Sequence, residues 1–224
     1  GDATAGLPAK GLNLTEIAGF LRSGHPNSLA IQLGLAFLVA GIAFKFGAVP
    51  FHMWIPDVYH GAPACATLFV ATAPKIASFA LALRILVQGF GPVAGDWQPM
   101  VAVLAVLSLG VGNVLAIAQT NIKRMLGYSA ISHVGFILLG LAAGTGDGVR
   151  AAMFYTIVYV LMTAAAFGIV ILLTRDGAEA DQLDDLRGLS RRSPWFALVM
   201  LLVMISMIGV PPLAGFAAKW WVLT

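Results

Sequence analysis

Three lysines stand inside apolar stretches, where a charged side chain is costly. Lys45 ends a long apolar run, Lys75 lies near the middle of ATAPKIASFALALR, and Lys219 lies within GVPPLAGFAAKWWVLT. A lysine at the centre of a membrane helix costs roughly 2.5–3.5 kcal/mol to insert, and such residues usually serve a function. Because burial favours the neutral amine, a buried lysine can exchange protons near neutral pH. With water and His133, in the apolar segment GYSAISHVGFILLG, these lysines predict a proton relay.

The same lysines could instead be structural, with a long side chain that reaches the membrane surface. The acidic residues bear on this alternative, because all ten Asp and Glu fall in connectors, at span ends or in the leading segment. No carboxylate therefore lies mid-span to neutralise Lys45 or Lys75, and a buried lysine without a partner loses its proton or pairs elsewhere. We expect the partner carboxylate to come from another part of the protein or from a neighbouring subunit.

Prolines interrupt two of the lysine-bearing segments. Pro50 follows Lys45, and Pro211 and Pro212 precede Lys219. Proline breaks a helix and frees backbone carbonyls, which membranes tolerate where the backbone is buried in protein or lines a wet cavity. A simple proline kink is the alternative for one such site, but two breaks with a lysine beside each are typical of discontinuous helices in inverted repeats. The broken helices would place free carbonyls beside a titratable amine.

Composition identifies the class of protein that contains these segments. The chain of 224 residues is 59% hydrophobic and only 10% charged, whereas soluble domains carry roughly 25% charged residues. This predicts an all-α polytopic membrane protein, since no barrel-like strand alternation is present. The net charge of +3 is spread along the chain, which argues against a nucleic-acid surface. A single cysteine, Cys65, excludes an internal disulfide and a cysteine-based metal or iron–sulfur site.

About six transmembrane helices fit the apolar segments, at about 20 residues per crossing. We expect a polar loop or interfacial segment over 1–28, outside the membrane, with a short helix in NLTEIAGFLRS capped by Asn13. The transmembrane bundle is predicted over 29–224, with spans at about 29–50, 64–89, 98–119, 126–144, 150–174 and 195–224.

The positive charges in alternate connectors predict the orientation. One set of connectors contains Lys123, Arg124, Arg175, Arg187, Arg191 and Arg192. The other contains Lys10, Arg22 and Arg150, with Arg84 near a helix end. The bias places the first set inside, so that the first span runs from outside to inside.

Two histidines flank Asp57 just after the first break, His52 and His60. They offer too few ligands at poor spacing for a metal, so no metal site is predicted. His52 is a weaker candidate for proton entry or exit, and a hydrogen-bonded interfacial histidine is an equal alternative. The sequence contains no GxGxxG, P-loop, cysteine cluster or haem motif, so we predict no redox cofactor in this chain.

Four segments carry a resemblance to a known family: FKFGAVPFHMWIPDVYHGAP, ATAPKIASFALALRIL, QTNIKRMLGYSAISHVGFILLGL and GVPPLAGFAAKWW. They resemble the antiporter-like, proton-translocating subunits of respiratory complex I, and most closely the type called subunit N in bacterial NADH-quinone oxidoreductase. The motifs extend over about residues 40 to 222. The first residue, Gly1, and the apolar final segment, WWVLT, favour a fragment of a longer protein.

The resemblance implies a fold of about fourteen transmembrane helices in two inverted five-helix repeats, of which this chain would be the seventh to the twelfth. Lys45, Lys75 and Lys219 would match the family's lysines of the seventh, eighth and twelfth helices, and Lys123 a lysine of its NIKR motif. The family's glutamate that pairs with the seventh-helix lysine belongs to the fifth helix. The partners would be other membrane subunits of complex I in the bacterial cytoplasmic (inner) membrane. Flavin, iron–sulfur clusters and quinone would belong to those partner subunits.

The implied activity is proton translocation, coupled indirectly to quinone reduction in other subunits. Lys75 would pass its proton toward Lys219 by way of His133 and water. Three alternatives are open: a multisubunit Na⁺/H⁺ antiporter subunit with the same helices and similar lysines, a membrane-bound hydrogenase subunit, and a passive membrane scaffold. The retention of all three lysines argues against the scaffold.

Overall fold

The computed structural model describes residues 13–22, 28–174 and 179–224, and over these ranges the chain is helical with no strand. Five helices are long and apolar enough to cross a membrane. They are α2 (Ser28–Phe46), α4 (Ala64–Ala82, continued by a π-helical turn to Gly89), α5 (Ala94–Ile117), α6 (Ile122–Ala142) and α7 (Gly146–Leu173). The predicted all-α, multi-span architecture is confirmed.

Shorter helices complete the described part of the chain. They are α1 (Leu14–Arg22), α3 (Trp54–Gly61), α8 (Leu189–Arg192), α9 (Pro194–Ile208) and α10 (Ala214–Leu223). The sixth predicted span is therefore two half-helices, α9 and α10, and α2 and α3 form a second interrupted pair. In α1, the Asn13 side chain accepts a hydrogen bond from the Thr15 N–H, as expected of a cap. The rest of the predicted 1–28 segment lies largely outside the described residues.

Two helices begin earlier than predicted, because a polar side chain caps the first turn of each. The helix α6 starts at Ile122, not near residue 126, because the Asn121 side chain accepts a hydrogen bond from the Arg124 N–H. The helix α7 likewise starts at Gly146, where Thr145 accepts from the Gly148 N–H. Both caps satisfy amide groups that the first helical turn leaves free.

The helix α6 is the most enclosed of the spans, with α5, α7 and α3 packed around it. Glycines allow this close approach. A Cβ on Gly112 would lie 2.6 Å from the Ser132 backbone nitrogen, and one on Gly135 would lie 2.9 Å from the Ala105 carbonyl oxygen. His133 is part of this enclosed helix, so the packing that buries α6 also buries a titratable ring.

Candidate functional site

The first break separates α2 from α3. The helix α2 ends at Phe46, and Gly47 follows with a φ of +70°, the left-handed conformation that commonly ends a helix. Pro50 comes three residues later, in the non-helical segment before Trp54. The first span thus stops before the residue 50 predicted from the proline, because the glycine ends the helix first. The last carbonyl groups of α2 have no partner within their own helix.

Lys75 supplies a partner for one of these carbonyls. It lies on α4 with only 1% of its surface exposed, and its Nζ donates a hydrogen bond to the Phe46 carbonyl oxygen at 2.5 Å. Carbonyl groups at a helix C-terminus carry a partial negative charge, which stabilises a nearby cation. The first break and a buried amine therefore form one unit, as the sequence suggested, but the amine comes from α4.

Lys45 lies on the exposed surface of α2, one residue before the helix ends. None of the four ion pairs found among the described residues involves it. The structure therefore places Lys45 beside the break but with its side chain away from the Lys75 contact.

The second break has the same construction. The helix α9 ends at Ile208, Gly209 follows with a φ of +91°, and Pro211 and Pro212 precede α10. The Nζ of Lys219, on α10, donates a hydrogen bond to the Ile208 carbonyl oxygen at 2.9 Å. At each break, then, a lysine amine binds the last carbonyl of the half-helix that ends there.

Two serines hold the breaks in place, and sequence reasoning did not identify either. The Val49 N–H, in the first break, donates to Ser108 Oγ on α5 at 3.0 Å. The Gly215 N–H, in the first turn of α10, donates to Ser206 Oγ on α9 at 3.2 Å. Both serines are buried. The signal available in the sequence was a single serine in each of these apolar helices.

His133 and Lys219 line one cavity of about 460 Å³ between α5, α6, α9 and α10. His133 is 4% exposed, and its Nδ1 lies 2.7 Å from the Tyr155 hydroxyl. The Lys219 Nζ lies 5.0 Å from the centre of the Phe136 ring, within the range of a cation–π contact. The structure thus brings two of the predicted relay residues together, while Lys75 lies at the other break and does not line this cavity.

Lys123 is separate from this cavity, at the start of α6. It forms an ion pair with Glu179 and donates to the Ala62 carbonyl oxygen at 3.0 Å. Glu179 also accepts from the Ala64 N–H, at the start of α4. Partial burial raises the pKa of Glu179, but the hydrogen bonds from Lys123 and Ala64 outweigh it and lower that pKa overall. These contacts hold the connector between α7 and α8 against the ends of α3 and α4.

His52 lies in the first break, between Pro50 and α3, and is 9% exposed. Its Nδ1 has no hydrogen-bond partner among the protein groups that the structure describes. His52 does not line the cavity of His133 and Lys219.

Comparison with known proteins identifies a family that this chain is similar to over nearly its whole length. The family model described as NADH:quinone oxidoreductase/Mrp antiporter, TM, matches residues 7–224. NADH-quinone oxidoreductase subunit N of Thioalkalivibrio sulfidiphilus is 60% identical over 213 residues, which is 95% of this chain and 44% of that protein. The chain therefore spans less than half the length of the curated relatives that it matches.

Two solved structures show the same arrangement of helices. A chain of respiratory complex I from Thermus thermophilus with bound aureothin has a TM-score of 0.75 and 39% identity, over 89% of this chain and 43% of that one. A chain of the Mrp complex from Dietzia sp. has a TM-score of 0.82 and 24% identity, over 94% of this chain and 38% of that one. The Mrp likeness is one of fold alone.

Proposed function

The chain belongs to the NADH:quinone oxidoreductase/Mrp antiporter membrane family, and we propose that it is part of the proton-translocating subunit N of an NADH-quinone oxidoreductase. The observation that carries this proposal is the repeated pairing of a lysine amine with the last carbonyl of a broken membrane helix. Lys75 makes that contact at the first break and Lys219 at the second. A simple structural lysine has no need of a helix break, whereas a proton carrier gains from a partner that stabilises its charged form.

In this proposal Lys75 and Lys219 each hold a proton as an ammonium group bound to a helix-end carbonyl. Release of that proton leaves a neutral amine, which no longer needs the carbonyl's negative potential. A change in nearby charge therefore shifts the amine between its two forms. His133, in the cavity with Lys219, accepts and passes on the proton next to the second break. Lys123 and His52 have weaker roles, at the connector and in the first break.

The driving reaction takes place outside this chain. We propose that quinone reduction in other complex I subunits changes the charges near Lys45 and Lys75, and that this chain carries no redox chemistry of its own. Flavin, iron–sulfur clusters and quinone belong to those subunits in this proposal, and no cofactor or metal binds here. The subunit resides in the bacterial cytoplasmic membrane, with the Lys123 end inside.

Lys45 has its own part in the proposal. Because it lies exposed beside the first break, we propose that a carboxylate from another part of the subunit, or from a neighbour, covers and pairs with it. A carbodiimide that joins amines to carboxylates in contact tests this in the assembled complex. Mass spectrometry should find Lys45 linked to a carboxylate, and an unlinked Lys45 in an active complex contradicts the pairing.

The experiment that tests the function replaces Lys75 by alanine in the full-length protein in its own membranes. We expect NADH oxidation and NADH-driven proton uptake into inverted vesicles to fall together, while the complex still assembles. The matched control is Ile76→Ala, an exposed neighbour on the same helix, which should retain both activities.

A second candidate function is that of a Na⁺/H⁺ antiporter subunit, because the family model that matches this chain is named for the Mrp antiporter as well. Unchanged NADH oxidation and proton uptake in Lys75→Ala, with loss of Na⁺/H⁺ exchange, would show that the antiporter is correct.

A further inference from the structure

A group of buried hydroxyls lies beside His133 and has no part in the relay described above. Of the four tyrosines in the chain, Tyr59, Tyr155 and Tyr159 are each at most 2% exposed. Among the described residues, four buried polar side-chain atoms lack a protein hydrogen-bond partner, and three of them are the hydroxyls of Tyr59, Tyr159 and Thr163. Buried hydroxyls are normally paired, so a group of unpaired ones calls for an explanation.

These residues form a continuous strip, which we call the tyrosine strip: Tyr59, Tyr155, Tyr159 and Thr163. The last three follow each other at four-residue spacing on α7 and so share one face, over about 12 Å. Tyr59, on α3, packs against the same helix, because its ring centre lies 5.8 Å from that of Phe167, one turn beyond Thr163. The hydroxyls of Tyr59, Tyr159 and Thr163 have no direct protein hydrogen-bond partner, and buried polar groups of this kind are commonly bridged by water.

His133 is in contact with the strip on α7. Its Nδ1 lies 2.7 Å from the Tyr155 hydroxyl, and its ring centre lies 5.1 Å from that of Tyr159. The imidazole therefore contacts the Tyr155 hydroxyl and the Tyr159 ring, and it also lines the cavity of Lys219.

The other end of the strip points to the Lys123 end of the bundle. Tyr59, on α3, is three residues before Ala62, whose carbonyl oxygen accepts a hydrogen bond from Lys123. Lys123 is ten residues before His133 on the same helix, about 15 Å along its axis. The strip thus extends from the middle of α6 toward the end of the bundle where the connector is attached by Glu179.

We propose that the hydroxyls of the tyrosine strip, those of Tyr155, Tyr159, Thr163 and Tyr59, relay protons between His133 and the Lys123 end of the bundle. The inference rests on the proposed proton-translocating function and extends it to residues that are not lysine or histidine. In each step a hydroxyl oxygen accepts a proton on one side while its own proton leaves on the other, directly or through a bridging water. Each tyrosine is neutral before and after, so no charge is left in the membrane.

The test uses substitutions that remove a hydroxyl and keep the ring. In the full-length subunit, within its complex in inverted vesicles, Tyr159→Phe and Tyr59→Phe are measured for NADH-driven proton uptake per assembled complex. We expect uptake to fall by at least roughly tenfold in each, since a positioned proton-transfer group contributes about 10²–10⁴-fold. The matched control is Tyr128→Phe, because Tyr128 is the fourth tyrosine and lies outside the strip, against Arg124. That variant should pump normally.

Thr163 provides a second test that separates a relay from a structural role. Thr163→Ser keeps the hydroxyl and should keep proton uptake, whereas Thr163→Val keeps the shape and should lose it. A merely structural role would alter the amount of complex, not the uptake per complex. If a tyrosine variant does not assemble, the two Thr163 variants still test whether the strip is a relay.

The outcomes distinguish this inference from the proposed function. If Lys75→Ala stops uptake while Tyr59→Phe, Tyr159→Phe and Thr163→Val all pump normally, the strip is not a relay and the proposed function stands. If Lys75→Ala itself pumps normally, the proposed function is wrong.

Discussion

The amine of Lys75 donates a hydrogen bond to the carbonyl oxygen of Phe46, the residue at which α2 ends, and the two atoms lie 2.5 Å apart. Lys219 repeats the contact with Ile208, the residue at which α9 ends. In both cases a glycine with positive φ follows the carbonyl, and prolines keep the helix from continuing. The two breaks therefore have the same construction. They differ in that Lys219 lies on the half-helix that follows its break, whereas Lys75 lies on a different helix, α4.

Substitution of Gly209 tests whether the lysine contact at the second break depends on the backbone conformation of this glycine. Alanine at φ +91° is strained, and its Cβ would also lie 2.9 Å from Cδ of Lys219. We expect Gly209→Ala to lower the free energy of unfolding by roughly 1–2 kcal/mol through backbone strain, and to lower proton uptake because the flexible Lys219 side chain must move away. Thermal unfolding in detergent and uptake in inverted vesicles, both on the full-length protein, measure the two effects.

Gly188 is the matched control for Gly209, because its φ is +70° but a Cβ would meet nothing within 4 Å. Gly188→Ala should show the backbone strain alone, with normal uptake. Equal effects of the two substitutions on uptake would contradict a link between Gly209 and the position of Lys219.

The joint between α9 and α10 makes a prediction of a different kind. A Cβ on Gly215 would lie 1.8 Å from the Ser206 carbonyl oxygen, a contact that forces the half-helices apart. Gly215→Ala should destabilise the protein by about 1–3 kcal/mol or more, seen as a lower midpoint of thermal unfolding. Gly168→Ala is the control, since a Cβ there meets nothing within 4 Å in a helix, where alanine is preferred to glycine. A Gly215→Ala protein as stable as the control would mean that the joint is looser than described.

Sequence patterns predicted the helices, their approximate number and the two breaks. This was possible because the length of an apolar segment and the position of a proline can be read from neighbouring residues alone. The patterns placed the first break too late, since Gly47 ends α2 before Pro50 is reached. They could not show that Lys75 binds Phe46, because that contact joins residues 29 positions apart through helix packing. The roles of Lys45, Lys75, Lys219, His133, Lys123 and His52 in proton transfer remain predictions. The sequence did not indicate the tyrosine strip, because aromatic residues are common in membrane helices and only the packing shows that these hydroxyls are buried without protein partners beside His133.

Ser108 gives a prediction about the first break. Its hydroxyl accepts from the Val49 N–H in a fully buried setting, so Ser108→Ala leaves that donor unpaired. The expected cost is about 1–3 kcal/mol in the free energy of unfolding. Ser78→Ala is the matched control, because the equally buried Ser78 hydroxyl only donates to the Pro74 carbonyl of its own helix, which keeps its backbone partner. Equal costs for the two variants would show that Val49 finds another acceptor.

The Lys123–Glu179 ion pair predicts a dependence of stability on pH. The pKa of Glu179 is lower in the folded protein than its unfolded value of about 4.3, since the hydrogen bonds from Lys123 and Ala64 outweigh the effect of burial. A depressed pKa contributes stability that is complete above the unfolded pKa and is lost as the pH falls through the folded one. We expect Glu179→Gln to be less stable than the native protein by about 1–3 kcal/mol at pH 7, because Lys123 is left buried without its counter-charge.

The difference between the two proteins should shrink as the pH falls below the unfolded pKa and through the lower folded pKa of Glu179, where the native side chain becomes neutral. Thermal unfolding of both in detergent, at a series of pH values, measures it. Asp147→Asn is the control, because Asp147 pairs with Arg150 on the exposed surface, where an ion pair contributes about 0–1 kcal/mol. A constant difference from pH 7 to pH 3 would mean that Glu179 acts through packing and hydrogen bonds that do not need its charge. A difference that shrinks shows that charge attaches the connector to the ends of α3 and α4.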